Sequence, residues 1–181
     1  ANAYNFSDGM DGLSGGIGAV LAVALIAVSL IAGFPADIVS HVPPLVALVV
    51  ALVPLLFLNA PPAKVFMGDV GSLPIGALLG MGFLQSTVFV DPARQNWTLL
   101  WAAVPLLFVL LVEIVPGPLQ IASAKLRKGK RLFPFKTPVH HGFQAAGWPE
   151  TRVVALFVLT QIAGAIATVL WVLWITKGGS Q

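Results

Sequence analysis

The sequence predicts an all-α membrane protein, a polytopic bundle of transmembrane helices. Hydrophobic residues make up 57% of its 181 residues, charged residues only 9%, and the mean hydropathy is +0.92. Because about 25% of the residues of a soluble domain are charged, so few charges cannot cover a water-facing surface, and the bilayer is the natural solvent. The chain has no cysteine, which excludes disulfides and thiolate metal sites.

Five stretches are apolar over about 20 residues, the length that a spanning helix needs. They cover roughly residues 17–34, 43–60, 73–90, 99–121 and 153–175. Pro54 interrupts the second stretch, and Pro116 and Pro118 interrupt the fourth, close to Glu113 and Gly117. A kink is therefore expected in each of these two spans.

The basic residues predict which side of the membrane each polar segment faces. With the N-terminus inside, the inner segments are 1–16, 61–72 and 122–152. The only basic residues in the outer segments are then Arg94 and Lys177. The inner basic residues are Lys64, Lys125, Arg127, Lys128, Lys130, Arg131, Lys136 and Arg152. Because cytoplasmic loops are enriched in Lys and Arg, we expect a cytoplasmic N-terminus. The basic residues lie between spans and not along an aromatic groove, so nucleic acid is not an expected partner.

The first inner segment carries polar residues at every third position, Asn2, Asn5, Asp8 and Asp11. Such a row stays on one face of a 3₁₀ turn and drifts by about 60° per step on an α-helix, so neighbouring members can converge on one ligand. Two Asp-Gly steps let the backbone approach whatever binds there. The alternative is a helix N-cap with glycine-mediated packing, but a cap needs one aspartate rather than four spaced polar residues.

The second inner segment places Asp69 in a glycine-rich turn, within the run Phe-Met-Gly-Asp-Val-Gly-Ser at residues 66–72. An acid at the start of a helix suits a hard cation such as Mg²⁺, with phosphate oxygens as further ligands. A helix cap formed by Asp69 or Ser72 is an equally good interpretation of this segment taken alone.

The third inner segment combines a basic run, Lys125–Arg131, with the adjacent pair His140 and His141. Binding of anionic headgroups is the simpler explanation of the basic run. The two imidazoles could hold phosphates or a metal, or transfer protons. Glu113 inside a predicted span is a functional candidate or lies where the broken helix admits water. Gln120 could bond either a ligand or a freed backbone carbonyl.

At these three segments the sequence resembles the polyprenyl-phosphate N-acetylhexosamine-1-phosphate transferases. Residues 2–13 match the Asn-rich Asp-Gly-x-Asp-Gly-Leu stretch of that family, residues 66–72 its most distinctive loop, and residues 130–150 its histidine-containing loop. The third loop reads Pro-Val-His-His and then Gly-Trp, which favours the muramoyl branch over the sister branch that transfers GlcNAc-1-phosphate. Because the family has about ten spans and an upstream Asp-Asp pair, residues 1–181 are expected to form the C-terminal half of one membrane transferase domain.

The resemblance implies an activity in peptidoglycan biosynthesis. Phospho-MurNAc-pentapeptide would pass from UDP-MurNAc-pentapeptide to undecaprenyl phosphate, which releases UMP and forms lipid I. The reaction would use Mg²⁺ and take place at the cytoplasmic face of the bacterial inner membrane, in contact with membrane lipid. Homodimer formation is left open.

The resemblance also implies roles for individual residues. Asp69 would ligate Mg²⁺, and Asp8 and Asp11 would line the catalytic cleft beside Asn5. The kinked fourth span would border a groove for the polyprenyl chain. The remaining implied substrate-binding residues are Asn2, Phe66, which would face the uracil, Gln120, which would contact the nucleoside, and His140 and His141, which would contact the nucleotide-sugar or its phosphates.

The sequence departs from the family pattern at two positions. Gly142 stands where the muramoyl branch carries a third consecutive histidine, and Gln144 stands at the following acidic position. With the upstream aspartates outside this sequence, an inactive fragment is therefore an alternative. A transporter is disfavoured, because it predicts ionisable groups near the bilayer midplane, where only Glu113 is expected.

Overall fold

The computed structural model describes residues 1–32, 38–87, 97–127, 129 and 132–178, and every regular element in these ranges is a helix. A short 3₁₀ turn, Ile38–His41, precedes α3. The α-helices are α1 Asn2–Asn5, α2 Leu13–Ile31, α3 Val42–Asn59, α4 Gly68–Thr87, α5 Trp97–Ile114, α6 Pro116–Leu126, α7 Val139–Ala145 and α8 Glu150–Gly178. The predicted all-α class is confirmed.

Three of the described helices are long and apolar enough to cross a membrane, namely Leu13–Ile31, Val42–Asn59 and Glu150–Lys177. Ala103–Ile114 and Pro116–Leu126 form a fourth if this pair, bent by 43°, is one span. The bend lies at the predicted break of the fourth apolar stretch, where Pro116 and Pro118 follow Glu113. In contrast, α3 continues through Pro54 as one helix.

The third predicted span, residues 73–90, corresponds to α4 as far as residue 87; residues 88–90 lie outside the described ranges. This helix begins earlier than predicted, at Gly68. Its first turn carries Asp69, and glycine recurs along it, so it is less apolar than the three spanning candidates. It packs against α1, α2 and α3. The start of α4 therefore lies beside residues 1–16, the first of the three inner segments, which we call the polar segments.

The core is built around α2, which packs against α3, α4 and α8. Its buried residues recur at the spacing of one helical face, from Leu13 through Ile17 and Leu21 to Leu25 and Val28. Large apolar side chains on α3 and α8 are instead exposed, among them Val50, Phe57, Leu159 and Trp174. A helical bundle that is apolar outside as well as inside is suited to lipid.

A polar cluster lies near the C-terminal end of α2, and we call it the distal cluster: Ser29, His41 and Ser86. The Ser29 hydroxyl donates to the Leu25 carbonyl at 2.8 Å and the Ser86 hydroxyl to the Gly82 carbonyl at 2.7 Å. His41 Nε2 lies 2.8 Å from the Ser29 oxygen and 3.1 Å from the Ser86 oxygen, and the two hydroxyl oxygens lie 3.0 Å apart, so the three side chains form one hydrogen-bonded group. The cluster ties α2 to α4 and to the 3₁₀ turn.

Candidate active site

The first polar segment forms α1 and a series of turns that ends at Gly12, where φ is 78° and glycine is the favoured residue. The buried side chain of Asn59 holds this turn, because its Oδ1 accepts the Gly12 N–H at 2.9 Å. Its Nδ2 donates to the Val65 carbonyl at 2.9 Å. Asn59 therefore joins the start of α2 to the loop that precedes Asp69.

Three further contacts bring the first and second polar segments together. Asp11 Oδ2 accepts the Ala63 N–H at 2.8 Å. The Ser14 hydroxyl donates to Asp8 Oδ1 at 2.6 Å and lies 3.9 Å from the sulfur of Met67. The Ser72 hydroxyl donates to the Asn5 side-chain oxygen. Asp8 and Asp11 are thus both engaged by neighbours, each through one carboxylate oxygen.

Asp69 lies in the first turn of α4, directly after Gly68, where φ is 60°. Its side chain is exposed and has no hydrogen-bond or ion-pair partner among the described residues. Phe66 lies close by in the sequence and is 73% exposed. Asn2 is exposed on α1. The structure therefore leaves these three predicted site residues available to a ligand.

His140 brings the third segment against the first. Its imidazole is buried, with Nδ1 2.7 Å from Glu113 Oε2, and its backbone N–H donates to Glu113 Oε1 at 3.2 Å. On the opposite edge of the ring, a Cβ built on Gly9 would lie 2.6 Å from Nε2. Nε2 is buried and has no hydrogen-bond partner in the described protein. The pairing of Glu113 with His140 was not predicted from the sequence.

The acidic residue of the third segment also contacts the first. Glu150, at the start of α8, accepts the Asp11 N–H on its Oε1 at 2.8 Å. Trp148 lies against the guanidinium of Arg152, 4.4 Å from the ring centroid. The three polar segments, far apart in sequence, therefore meet at one end of the bundle, which we call the motif end.

His141 lines an open cavity of about 640 Å³ at the motif end, a volume typical of ligand pockets. His141 Nδ1 bonds Gln144 Oε1 at 2.9 Å. The other lining residues are Gln120, Phe135, Lys136, Thr137, Gln144 and Ala145. The lining contains one lysine and no carboxylate, so it suits an anionic or hydroxyl-rich ligand.

Gln120 lies in this cavity, but most of its amide is already used by the chain. Its Oε1 accepts the backbone N–H groups of Leu132 and Phe133, at 3.1 and 2.9 Å, and its Nε2 donates to the Phe133 carbonyl at 3.3 Å. One N–H of the amide remains for a ligand. Gln120 therefore holds the loop after α6 in place.

The two departures from the family pattern lie beside the same cavity. A Cβ at Gly142 would be 3.2 Å from the Lys136 carbonyl oxygen and 3.3 Å from the Phe135 Cβ. A histidine at this position would therefore require the loop to shift. Gln144 is a neutral partner of His141, where the family pattern predicts an acid.

Tyr4 anchors the first polar segment to the start of α2. Its hydroxyl donates to the Ser14 carbonyl at 2.7 Å, in the space left by the missing side chain of Gly18. Burial raises the pKa of the Tyr4 hydroxyl above its ordinary value, and the nearby charge of Asp8 adds to the shift. The phenol therefore stays protonated as a donor.

A resident metal would need more than this chain's own acids. Among the described residues, no three His, Cys, Asp or Glu side chains are placed to share a metal ion. Mg²⁺, however, is bound in many proteins by one or two carboxylates plus substrate phosphates and water. The exposed carboxylate of Asp69 fits that arrangement, with the other ligands supplied by a bound diphosphate.

Three buried or half-buried contacts of the site were missed in the sequence, those of Asn59, Glu113 and Glu150. Asn59 ends an apolar helix, and nothing in its local sequence indicates a partner 47 residues away. Glu113 did carry a signal, because an acid within an apolar span needs a partner.

Comparison with known proteins shows which family and which proteins the chain is similar to. Residues 1–87 match the family model of glycosyl transferase family 4. The chain is 39% identical to a phospho-N-acetylmuramoyl-pentapeptide-transferase of Deinococcus radiodurans over 98% of its own length and 47% of the relative's. It is 38% identical to a protein of the same name from Petrotoga mobilis, over 92% of its length and 46% of the relative's. The chain thus spans about half the length of these curated relatives, and its first 87 residues are similar to glycosyl transferase family 4.

Proposed function

We propose that this chain contributes the cytoplasmic acid cluster of an enzyme that transfers phospho-MurNAc-pentapeptide from its UDP carrier to undecaprenyl phosphate. The observation that carries the proposal is the meeting of three polar segments at one end of an apolar helical bundle. The names of the similar proteins agree with it. A lipid phosphate arrives from the bilayer and a nucleotide from water, so their reaction requires polar groups at such an end.

The reaction brings two anions together, and their repulsion is the main physical obstacle. At 4 Å and an effective dielectric constant near 20, one like-charge pair costs about 4 kcal/mol. Mg²⁺ held by Asp69 and the diphosphate would supply Lewis-acid stabilisation of the developing charge. Exposed backbone amides at the start of α4 favour a phosphate at the same place.

The aspartates of the first segment have two roles in this proposal. Asp11 is bonded to the loop at Ala63 and, through its amide, to Glu150, so it shapes the cleft. Asp8 is half-buried, and only its Oδ1 is bonded, to Ser14. Its second oxygen is available to accept a proton or to orient the lipid phosphate.

The cavity beside His141 would hold the nucleotide-sugar. Lys136 offers a positive charge, His141 and Gln144 offer hydrogen bonds, and Phe135 offers an aromatic surface. These groups match the phosphates, hydroxyls and apolar faces of such a donor. The cavity has no carboxylate in its lining that would repel it.

The test is UMP release by the longest natural chain that contains this sequence, with UDP-MurNAc-pentapeptide and UDP-GlcNAc assayed side by side. We expect turnover with the muramoyl donor, and at least a hundredfold loss in Asp69→Ala across a Mg²⁺ titration. Turnover with UDP-GlcNAc alone would instead assign the sister activity. Near wild-type turnover in Asp69→Ala would rule out Asp69 as the metal ligand.

A further inference from the structure

Glu113 lies next to the last residue of α5, just before the bend at Pro116, and the activity proposed above gives it no task. Its carboxylate holds His140, whose other ring edge rests against Gly9. We propose that Glu113 is a positioning residue, which acts through His140 to hold the Asp8–Gly9 turn of the candidate active site. This inference rests on the proposed function, because it assigns a role within that same site.

Glu113 holds the imidazole in one orientation and one tautomer. A carboxylate only accepts hydrogen bonds, so the proton of the 2.7 Å bond lies on Nδ1. The second carboxylate oxygen accepts the backbone N–H of the same histidine at 3.2 Å. The ring therefore cannot turn without losing a bond to a buried charge, which is how a carboxylate orients a catalytic or metal-bound histidine elsewhere.

The imidazole of His140 lies directly against the Asp8–Gly9 turn. Nε2 is so close to Gly9 that a Cβ would lie 2.6 Å from it, and something would then have to move. Gly9 is exposed while the imidazole is fully buried, so the backbone of this turn separates the ring from the cleft. Because Asp8 directly precedes Gly9, a shift of the ring also moves the backbone at Asp8.

A purely structural explanation would not require this pair. Two buried charged or polar groups cost more desolvation than apolar residues of similar volume, and the surrounding core offers apolar packing throughout. Unlike apolar packing, a carboxylate and an imidazole form a directional hydrogen bond, which fixes the orientation of the ring. The adjacent His141 lines the open cavity, so the structure gives the ligand contact to His141 and the support to His140.

The experiment compares Glu113→Gln with wild type in the longest natural chain that contains this sequence. A glutamine keeps the shape, but its NH₂ group donates to Nδ1, so the imidazole proton moves to Nε2. We expect ¹⁵N NMR of labelled histidine to report this switch. We also expect kcat for UMP release to fall at least tenfold, with KM for the UDP-sugar changed by less than threefold.

Gln161→Leu is the matched control. Gln161 is equally buried, and its amide donates to the Leu106 carbonyl between α5 and α8. Among the described residues, its side chain makes no hydrogen bond to the three polar segments. We expect its loss to keep kcat within twofold of wild type and to leave the His140 tautomer unchanged.

The proposal is overturned if Glu113→Gln switches the tautomer but keeps the wild-type kcat, or if Gln161→Leu loses as much activity. Should Glu113→Gln fail to fold, Gly9→Ala tests the other side of the ring, where the same loss of kcat supports the proposal and a wild-type kcat overturns it.

If the wild type releases no UMP, the proposed function fails, and hydrogen exchange of the amides at residues 8–12 decides the positioning role separately. Faster exchange in Glu113→Gln than in Gln161→Leu supports it, and equal exchange overturns it.

Discussion

The two ends of the helical bundle each bury a histidine, but they use it differently. At the distal cluster, His41 bonds two serine hydroxyls whose own protons go to backbone carbonyls. At the motif end, His140 bonds a carboxylate on one side, while its Nε2 lacks a partner in the described protein.

The two sites lie about 22 Å apart along the axis of α2, taking Ser14 and Ser29 as their markers and 1.5 Å per residue. The difference teaches how to tell a structural polar cluster from a functional one. The distal cluster contains no acid among its three members and joins helices that are already adjacent. The motif end joins segments from across the chain and leaves Asp69 exposed. Among the described residues, the exposed Asp69 and the unpartnered Nε2 of His140 both belong to the motif end.

The largest expected effect is that of His140→Ala. It leaves the buried carboxylate of Glu113 without its partner, and breaking a buried pair costs about 3–5 kcal/mol. Thermal unfolding in detergent should show a large loss of stability, and UMP release should fall by at least tenfold. If His140→Ala were as stable as wild type, the buried pair would not distinguish the motif end from the distal cluster.

Asn59→Ala should have the next largest effect. It removes the partners of the Gly12 N–H and the Val65 carbonyl, and an orphaned buried group costs about 1–3 kcal/mol. We expect lower stability together with a several-fold loss of UMP release, because the turn at Gly12 loses its support. Ser86→Ala at the distal cluster is the control, with little change in kinetics.

His41→Ala sharpens the comparison from the other end. Both serine hydroxyls keep their bonds to backbone carbonyls, so the expected loss of stability is about 1–2 kcal/mol. The kcat per folded molecule should stay within twofold of wild type. A tenfold loss of kcat without unfolding would show that the distal cluster is coupled to the active site.

The smallest effect concerns Tyr4 and pH. Because the folded-state pKa of Tyr4 is raised, its contribution to stability is complete below the ordinary tyrosine pKa of about 10 and is lost as the pH rises above it. Tyr4→Phe should lower the free energy of unfolding by about 1 kcal/mol at neutral pH. It should also make the loss of stability at alkaline pH smaller than in the wild type. An unchanged alkaline unfolding curve in Tyr4→Phe would contradict this role.

Much of the site could be predicted from local sequence. The spacing of Asn5, Asp8 and Asp11 indicated residues that act together, and the structure bonds each of them to another segment or to α2. The glycine-rich turn predicted an acid at a helix start, and Asp69 lies there. The metal, the substrates and the cytoplasmic orientation stay predictions.

The sequence by itself determined the apolar helical character and the break near Pro116, because solvent preference and the geometry of proline are properties of local residues. It also carried the resemblance to the family, through motifs that are short and contiguous. Only the tertiary structure decided that Glu113 pairs with His140, 27 residues away, that Glu150 holds Asp11, and that Asn59 holds Gly12. These contacts depend on how helices pack, and packing places residues together that have no relation in sequence.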